Sequence, residues 1–112
     1  MNNTFSSVSI SDMLVLFVIG QKDSYAYDII TAIKIYSDGM IEIPQNTVYT
    51  VAYRLEAEGK ISSYLKLVGK RRTRVYYHIE PQGEIYLKKL LKSYKETAEG
   101  IAKVLSSVEG SE

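Results

Sequence analysis

The sequence predicts a mostly α-helical fold with one small β-hairpin and a long C-terminal helix. Three observations carry that prediction. Before residue 60, three stretches space apolar residues as helices do or run apolar almost throughout, and each closes on Gly or polar residues. Residues 61–79 alternate in polarity on both sides of a Gly-containing basic turn. After Pro81, an apolar seam recurs at spacings of four and three.

The 112 residues suit one domain, or one domain with a helical extension. Apolar residues make up 46% and charged residues 24%, the balance of an ordinary globular protein. A core this small gains from oligomerisation. With no Cys there is neither a disulfide framework nor thiolate chemistry, which fits a reducing cytoplasm. No stretch reads as an export signal, and the apolar run 13–19 is too short to span a bilayer. The net charge of +1 hides a dipole: −4 over residues 1–59, +6 over residues 60–79, and −1 over residues 80–112.

Residues 1–8 are polar and read as frayed. Ser9 or Ser11 is the expected cap of a first helix, with Asp12 near its positive end. That helix runs Met13 to Ile19 and stops at Gly20; being apolar nearly all round, it must be buried or shared. A strand is the competing reading. Ser24 is expected to cap a second helix, Tyr25 to Tyr36, with an inner face of Tyr27, Ile30, Ile33 and also Ile29. Ser37-Asp38-Gly39 ends it, and the Ile41/Ile43 alternation suggests a small strand. A third helix opens at Gln45, Asn46 or Thr47, Asn46 being the best cap by type. Its inner stripe is Val48, Val51, Ala52 and Leu55, and Gly59 stops it. Tyr49 lies at the edge of the stripe, and Thr47, Thr50, Tyr53 and Arg54 project elsewhere. In the hairpin, Ile61, Ser63, Leu65 and Leu67 share one face with Val75, Tyr77 and Ile79 to follow. The turn, Gly69 to Arg74, holds four of the fourteen Lys and Arg residues. Glu80-Pro81 opens the last helix, with its seam of Leu87, Leu91, Tyr94, Ala98, Ile101, Leu105 and Val108, widened by Leu90 and Ala102. Gly100 removes bulk where helices could approach closely.

Three helices followed by a hairpin is the winged helix-turn-helix order. We therefore divide the chain into a DNA-binding domain, residues 1–80, and a C-terminal dimerisation helix, residues 81–112. A major groove admits one helix, and short polar side chains near its start read base edges. Asn46, Thr47, Tyr49, Thr50 and Tyr53 supply such groups, while Lys70, Arg71, Arg72 and Arg74 on the wing suit phosphates. The expected partners are double-stranded DNA and a second copy of the chain on a two-fold site. Each feature has a plainer reading: a basic turn as a solvated loop, a polar helix face as mere exposure, a seam as intramolecular packing, ten Tyr as amphipathic packing rather than a ligand pocket. His78, the one His, suits a structural or phosphate-contacting role. No metal cluster, phosphate loop, nucleophile elbow or paired-acid motif is present, so no catalytic residue, metal or cofactor is expected. The alternative is a winged-helix protein-interaction or ligand-sensing module without DNA binding.

The chain resembles the PadR-type transcriptional regulators from Met13 to about Val108. Met13-Leu14-Val15-Leu16 leading to Gly20 and Ser24-Tyr25-Ala26-Tyr27-Asp28-Ile29-Ile30 carry the resemblance, together with Thr47-Val48-Tyr49, Arg54 to Ile61, and Arg71 to Ile79 with Gly83 following. The resemblance implies a dimeric winged helix, usually a repressor, paired through the last helix with help from the first. It also admits a small aromatic effector, to which some relatives respond. Ala26 stands where Gly is usual, Ala52 where Leu is usual and Glu80 where Thr is usual. No Trp is present to build a Trp-sandwich pocket, and a single C-terminal helix suits the shorter branch of the family.

Overall fold

A computed structural model describes residues 7–109 of the protein, with side chains over 10–108. The element order is α1 (Ser7–Gln21), α2 (Ala26–Tyr36), α3 (Gln45–Ala57), β1 (Ile61–Val68), β2 (Arg72–Ile79) and α4 (Pro81–Glu109). Except for the helical backbone of Ser7 and Val8, the polar stretch 1–8 lies outside the described residues, as does the tail after Glu109.

The first helix corrects the sequence reading in three ways. It is already helical at Ser7, so Ser9 and Ser11 lie inside the helix and not at its N-cap position. It passes through Gly20 to Gln21 and is not a strand. Asp12 is fully buried in mid-helix, not at the positive end. Val15, Leu16 and Ile19 are almost wholly enclosed by α2, α3 and α4, as an all-round apolar helix requires, although Phe17 remains 43% exposed.

Ser24 does not cap α2. Its hydroxyl donates to the carbonyl of Lys22, and its backbone pairs with Tyr77, which lends the edge of the hairpin a single-residue third strand. The helix begins after Tyr25 with no side-chain cap. Its inner face is Ala26, Ile29 and Ile33, while Tyr27 is 66% exposed, so the expected inner position of Tyr27 is wrong. Asp38 and Gly39 turn through positive φ and end the helix, the Gly39 N–H bonding the Lys34 carbonyl. The link that follows forms no strand: Ile43 drops into the core, and Met40 and Ile41 stay outside.

In α3 the N-cap is Pro44, and Asn46 lies within the first turn and does not cap. Val48, Val51, Ala52 and Leu55 are all buried, as their spacing predicts. Burying Leu55 alone contributes about 2 kcal/mol. Gly59, at φ 75°, lets the chain fold back so that the Lys60 N–H reaches the Leu55 carbonyl at 2.9 Å.

The hairpin is antiparallel with Ile61 opposite Ile79 and Val68 opposite Arg72. Its tip is therefore 69–71, and Arg72 and Arg74 stand on β2, not in the turn. Only the base is buried, at Ile61, Tyr77 and Ile79; Leu65 and Leu67 are 71% and 65% exposed. The alternation set the face but not the point at which the core beneath it ends. In α4, Leu90 is buried and Leu87 and Leu91 pack half-buried on the core, so the first part of the expected seam is intramolecular. Beyond Ser93 the helix leaves the body, and Ile101, Leu105 and Val108 are each more than half exposed. The molecule measures 64 × 31 × 21 Å as a result.

Three helices are tied together at one buried acid. Asp12 on α1 accepts from the Arg54 guanidinium of α3 and, at 2.7 Å, from the Tyr86 hydroxyl of α4. Desolvation first and this bond second push the Tyr86 phenol up to about 12. Arg54 thus serves the interior and not the outer face of α3.

Candidate nucleic-acid interface

The outer face of α3 is settled by the burial of its inner one. Asn46, Tyr49, Thr50 and Tyr53 follow at i, i+3, i+4 and i+7, and all are exposed, Tyr53 by 80%. Thr47 lies half-buried on the flank. The Thr50 hydroxyl donates to the Asn46 carbonyl at 2.9 Å, which leaves its oxygen able to accept. No side chain caps the helix, and the first backbone donors with partners are Thr47 and Val48, both onto Pro44. The N–H groups ahead of them face outward at the positive end of the helix dipole.

On the wing, Lys70 and Arg71 stand at the tip, and Arg72 is exposed at the start of β2. Arg74 sits directly opposite Lys66, a cation the sequence reading did not include. Like charges in register repel. Here each has its own aromatic face: Lys66 lies 4.9 Å above the Tyr76 ring, and the Arg74 guanidinium 5.1 Å from the Tyr25 ring. Tyr76 contacts Tyr64 across the strands, stacked at 5.9 Å, and Tyr25 at 5.4 Å. The three rings join the start of α2 to the stem of the wing.

A second tie lies at the wing base. Asp23, in the loop before α2, accepts from the Tyr64 hydroxyl at 2.7 Å and meets His78 Nδ1 at 2.8 Å. The Tyr64 bond, then that of His78, hold the carboxyl below its ordinary range, and the same carboxylate raises the imidazole. His78 is therefore structural in this fold. On the α3 side, the Ser63 hydroxyl donates to Glu56 at 2.7 Å.

Between the wing and the two helix starts lies a cleft of about 510 Å³. Tyr25 just before α2, Ala26 and Tyr27 of α2, Gln45 and Tyr49 of α3, and Thr73, Arg74 and Val75 of β2 form its walls, and none of these is acidic. Of the expected DNA-contacting residues, the structure brings Tyr49 and Arg74 together here; Asn46, Thr50 and Tyr53 continue along α3, and Lys70, Arg71 and Arg72 along the wing. Tyr25, Tyr27, Gln45 and Lys66 were missed. The alternation of β1 already places Lys66 beside Tyr64, but nothing local links Tyr25 to a strand some fifty residues away. Among the described residues, no cluster of His, Asp and Glu could hold a metal ion, and no helix is long and apolar enough to cross a membrane.

Three helices, a hairpin wing and a projecting terminal helix define a winged helix-turn-helix protein. The chain belongs to the PadR-like family of transcriptional regulators, whose model matches residues 15–89; these are transcription factors, not enzymes. It is 33% identical over 98 residues to a protein of Lysinibacillus sphaericus, covering 88% of this chain and 90% of that one. A transcriptional regulator from Clostridium thermocellum is 34% identical, with a TM-score of 0.77 over 89% of this chain and 97% of its own. Bacillus subtilis PadR, solved in complex with operator DNA, shares the fold at 18% identity and a TM-score of 0.66 over 73% of this chain and 47% of its own.

Proposed function

We propose that the protein is a sequence-specific DNA-binding regulator that acts in the cytoplasm as a homodimer on a two-fold operator, and represses by occupying it. One observation carries this reading. The exposed face of α3 and the cationic wing flank a single cleft with no acidic residue in its walls. A duplex laid there meets polar groups for its bases along Asn46, Tyr49, Thr50 and Tyr53, and charge for its backbone along Lys66 and Lys70 to Arg74. The operator-bound relative of the same fold supports it. Pairing through the far half of α4 is supported by its apolar residues Ile101, Val104 and Leu105, each more than half exposed among the described residues. Residues 1–80 would then be the DNA-binding domain and residues 81–112 the dimerisation helix.

The test is a mobility-shift titration with the gene's own upstream region against unrelated duplex. A specific band that weakens with salt is expected. Equal affinity for both duplexes would overturn the sequence-specific reading, and the absence of any salt-sensitive band would leave a winged-helix interaction module as the better account.

A further inference from the structure

The four wing cations of the basic turn look equivalent in sequence, but Arg74 is placed unlike the rest. Lys70, Arg71 and Arg72 are exposed and carry no ion pair among the described residues. Arg74 is half-buried, its Nε is enclosed with no hydrogen-bond partner, and its guanidinium lies against the ring of Tyr25. That one nitrogen is shut off from solvent without a partner, no ion pair to Arg74 is found among the described residues, and the side chain forms part of the wall of the cleft. The ring that holds it belongs to the first residue before α2, and that ring is itself braced by Tyr76. Two helices of 11 and 13 residues, α2 and α3, begin at the same cleft, and neither start has a side-chain cap. Their partial positive charges add to that of the guanidinium. Asp28, the acid in the first turn of α2, lines the groove on the other side of the helix and not this cleft.

Resting on the DNA-binding reading above, we propose that this cleft seats one backbone phosphate of the bound duplex. Arg74 is the charged contact, and Tyr25 is a positioning residue that aims it there. The guanidinium is held against the ring and keeps its terminal donors for phosphate oxygens. A Lys at this position would keep the charge but lose the stacking that directs it. The wing therefore grips in two ways: its tip by mobile, solvated charge, its stem by a pre-aimed fork. The second costs less ordering on binding.

The experiment is fluorescence anisotropy of a labelled duplex carrying the chain's own upstream region, titrated at several salt concentrations. Wild type is compared with Arg74→Ala, Tyr25→Phe, Tyr25→Leu and Tyr25→Leu/Arg74→Ala. Arg74→Ala is expected to flatten the slope of log affinity against log salt by about 0.9, the signature of one phosphate contact. Tyr25→Phe, which keeps the ring, should bind as wild type does. Tyr25→Leu, which keeps apolar bulk against Tyr76, should weaken binding about fivefold, the worth of one cation–π contact of roughly 1 kcal/mol. The double variant should be no weaker than Arg74→Ala alone. Circular dichroism melts of Tyr25→Leu check that it is folded; a loss of affinity in a folded protein is not general destabilisation. Equal binding by Tyr25→Leu and Tyr25→Phe overturns the positioning role, as does full additivity in the double variant. An unchanged salt slope in Arg74→Ala overturns the phosphate seat. Wild type that fails to bind the duplex overturns the DNA-binding reading itself, and this inference with it.

Discussion

Single residues decide how the wing and the last helix join the body. Gly83, in the first turn of α4, faces the strand turn so closely that an added Cβ would lie 2.1 Å from the Lys60 carbonyl oxygen and 2.9 Å from Ile79 Cγ1. Both neighbours are fixed, one by backbone and one in the core. Gly83→Ala should therefore destabilise by about 3 kcal/mol, at the upper end of overpacking costs, measured as the shift in urea midpoint. The Asp23–His78 contact makes a second prediction at this scale. The folded-state pKa of His78 is raised, so its contribution is complete below the unfolded value of about 6.5 and is lost as pH rises through the folded one. Asp23 is lowered, so its contribution is present above about 4 and is lost as pH falls through its folded value. The pair is strongest between the two. The melting midpoint of wild type should drop relative to His78→Gln as pH rises from mildly acidic to alkaline; parallel curves would mean the contact is not populated.

Elements show which physics a linear sequence carries. The stripe Val48, Val51, Ala52 and Leu55 was legible because helix spacing and side-chain type say the same thing, and all four are buried. The hairpin followed from alternation around a basic turn, but its register did not: the turn is three residues, 69–71, not the six from Gly69 to Arg74, because Arg72 already pairs with Val68. The caps of α2 and α3 were not legible: each was assigned a polar cap, and the helices begin after Tyr25 and Pro44 with no side-chain bond, although Gln45 was among the expected openers of α3. Asp12 reads locally as a dipole partner, but its true partners are 42 and 74 residues away. Ser24 reads as a cap, but is spent on a strand pairing with Tyr77. Short-range rules fail where a distant backbone or charge makes the better offer. The exposed face of α3 could be oriented only once its inner face was placed. For the wing as an element, replacing Arg71 and Arg72 together with Ala should weaken binding to all duplexes alike and flatten the salt slope by up to about 1.8, two phosphates' worth. Unchanged affinity in a salt titration would remove the tip from the interface.

At the scale of the whole molecule, α4 has two halves with different tasks. Leu87, Leu90 and Leu91 close the domain's own core, whereas Ile101, Val104 and Leu105 are each more than half exposed. A dimer test aimed at Leu91 would confuse pairing with folding. Ile101→Asp with Leu105→Asp should instead give a folded monomer by light scattering, with near-native far-ultraviolet circular dichroism over the domain. A dimer that survives both changes would place the pairing surface elsewhere. The buried acid that ties α1, α3 and α4 together has a geometric consequence for the proposed dimer. From Tyr86 to Val108 the helix is a lever arm of roughly 33 Å at 1.5 Å per residue, and a tilt of about 5° at its root displaces the far end by roughly 3 Å. The fulcrum of that lever is Asp12, which also holds Arg54 of the helix that would read the bases. In the proposed dimer, the distance between two half-sites would be set by an angle fixed inside each protomer, at a carboxylate wholly buried in its core.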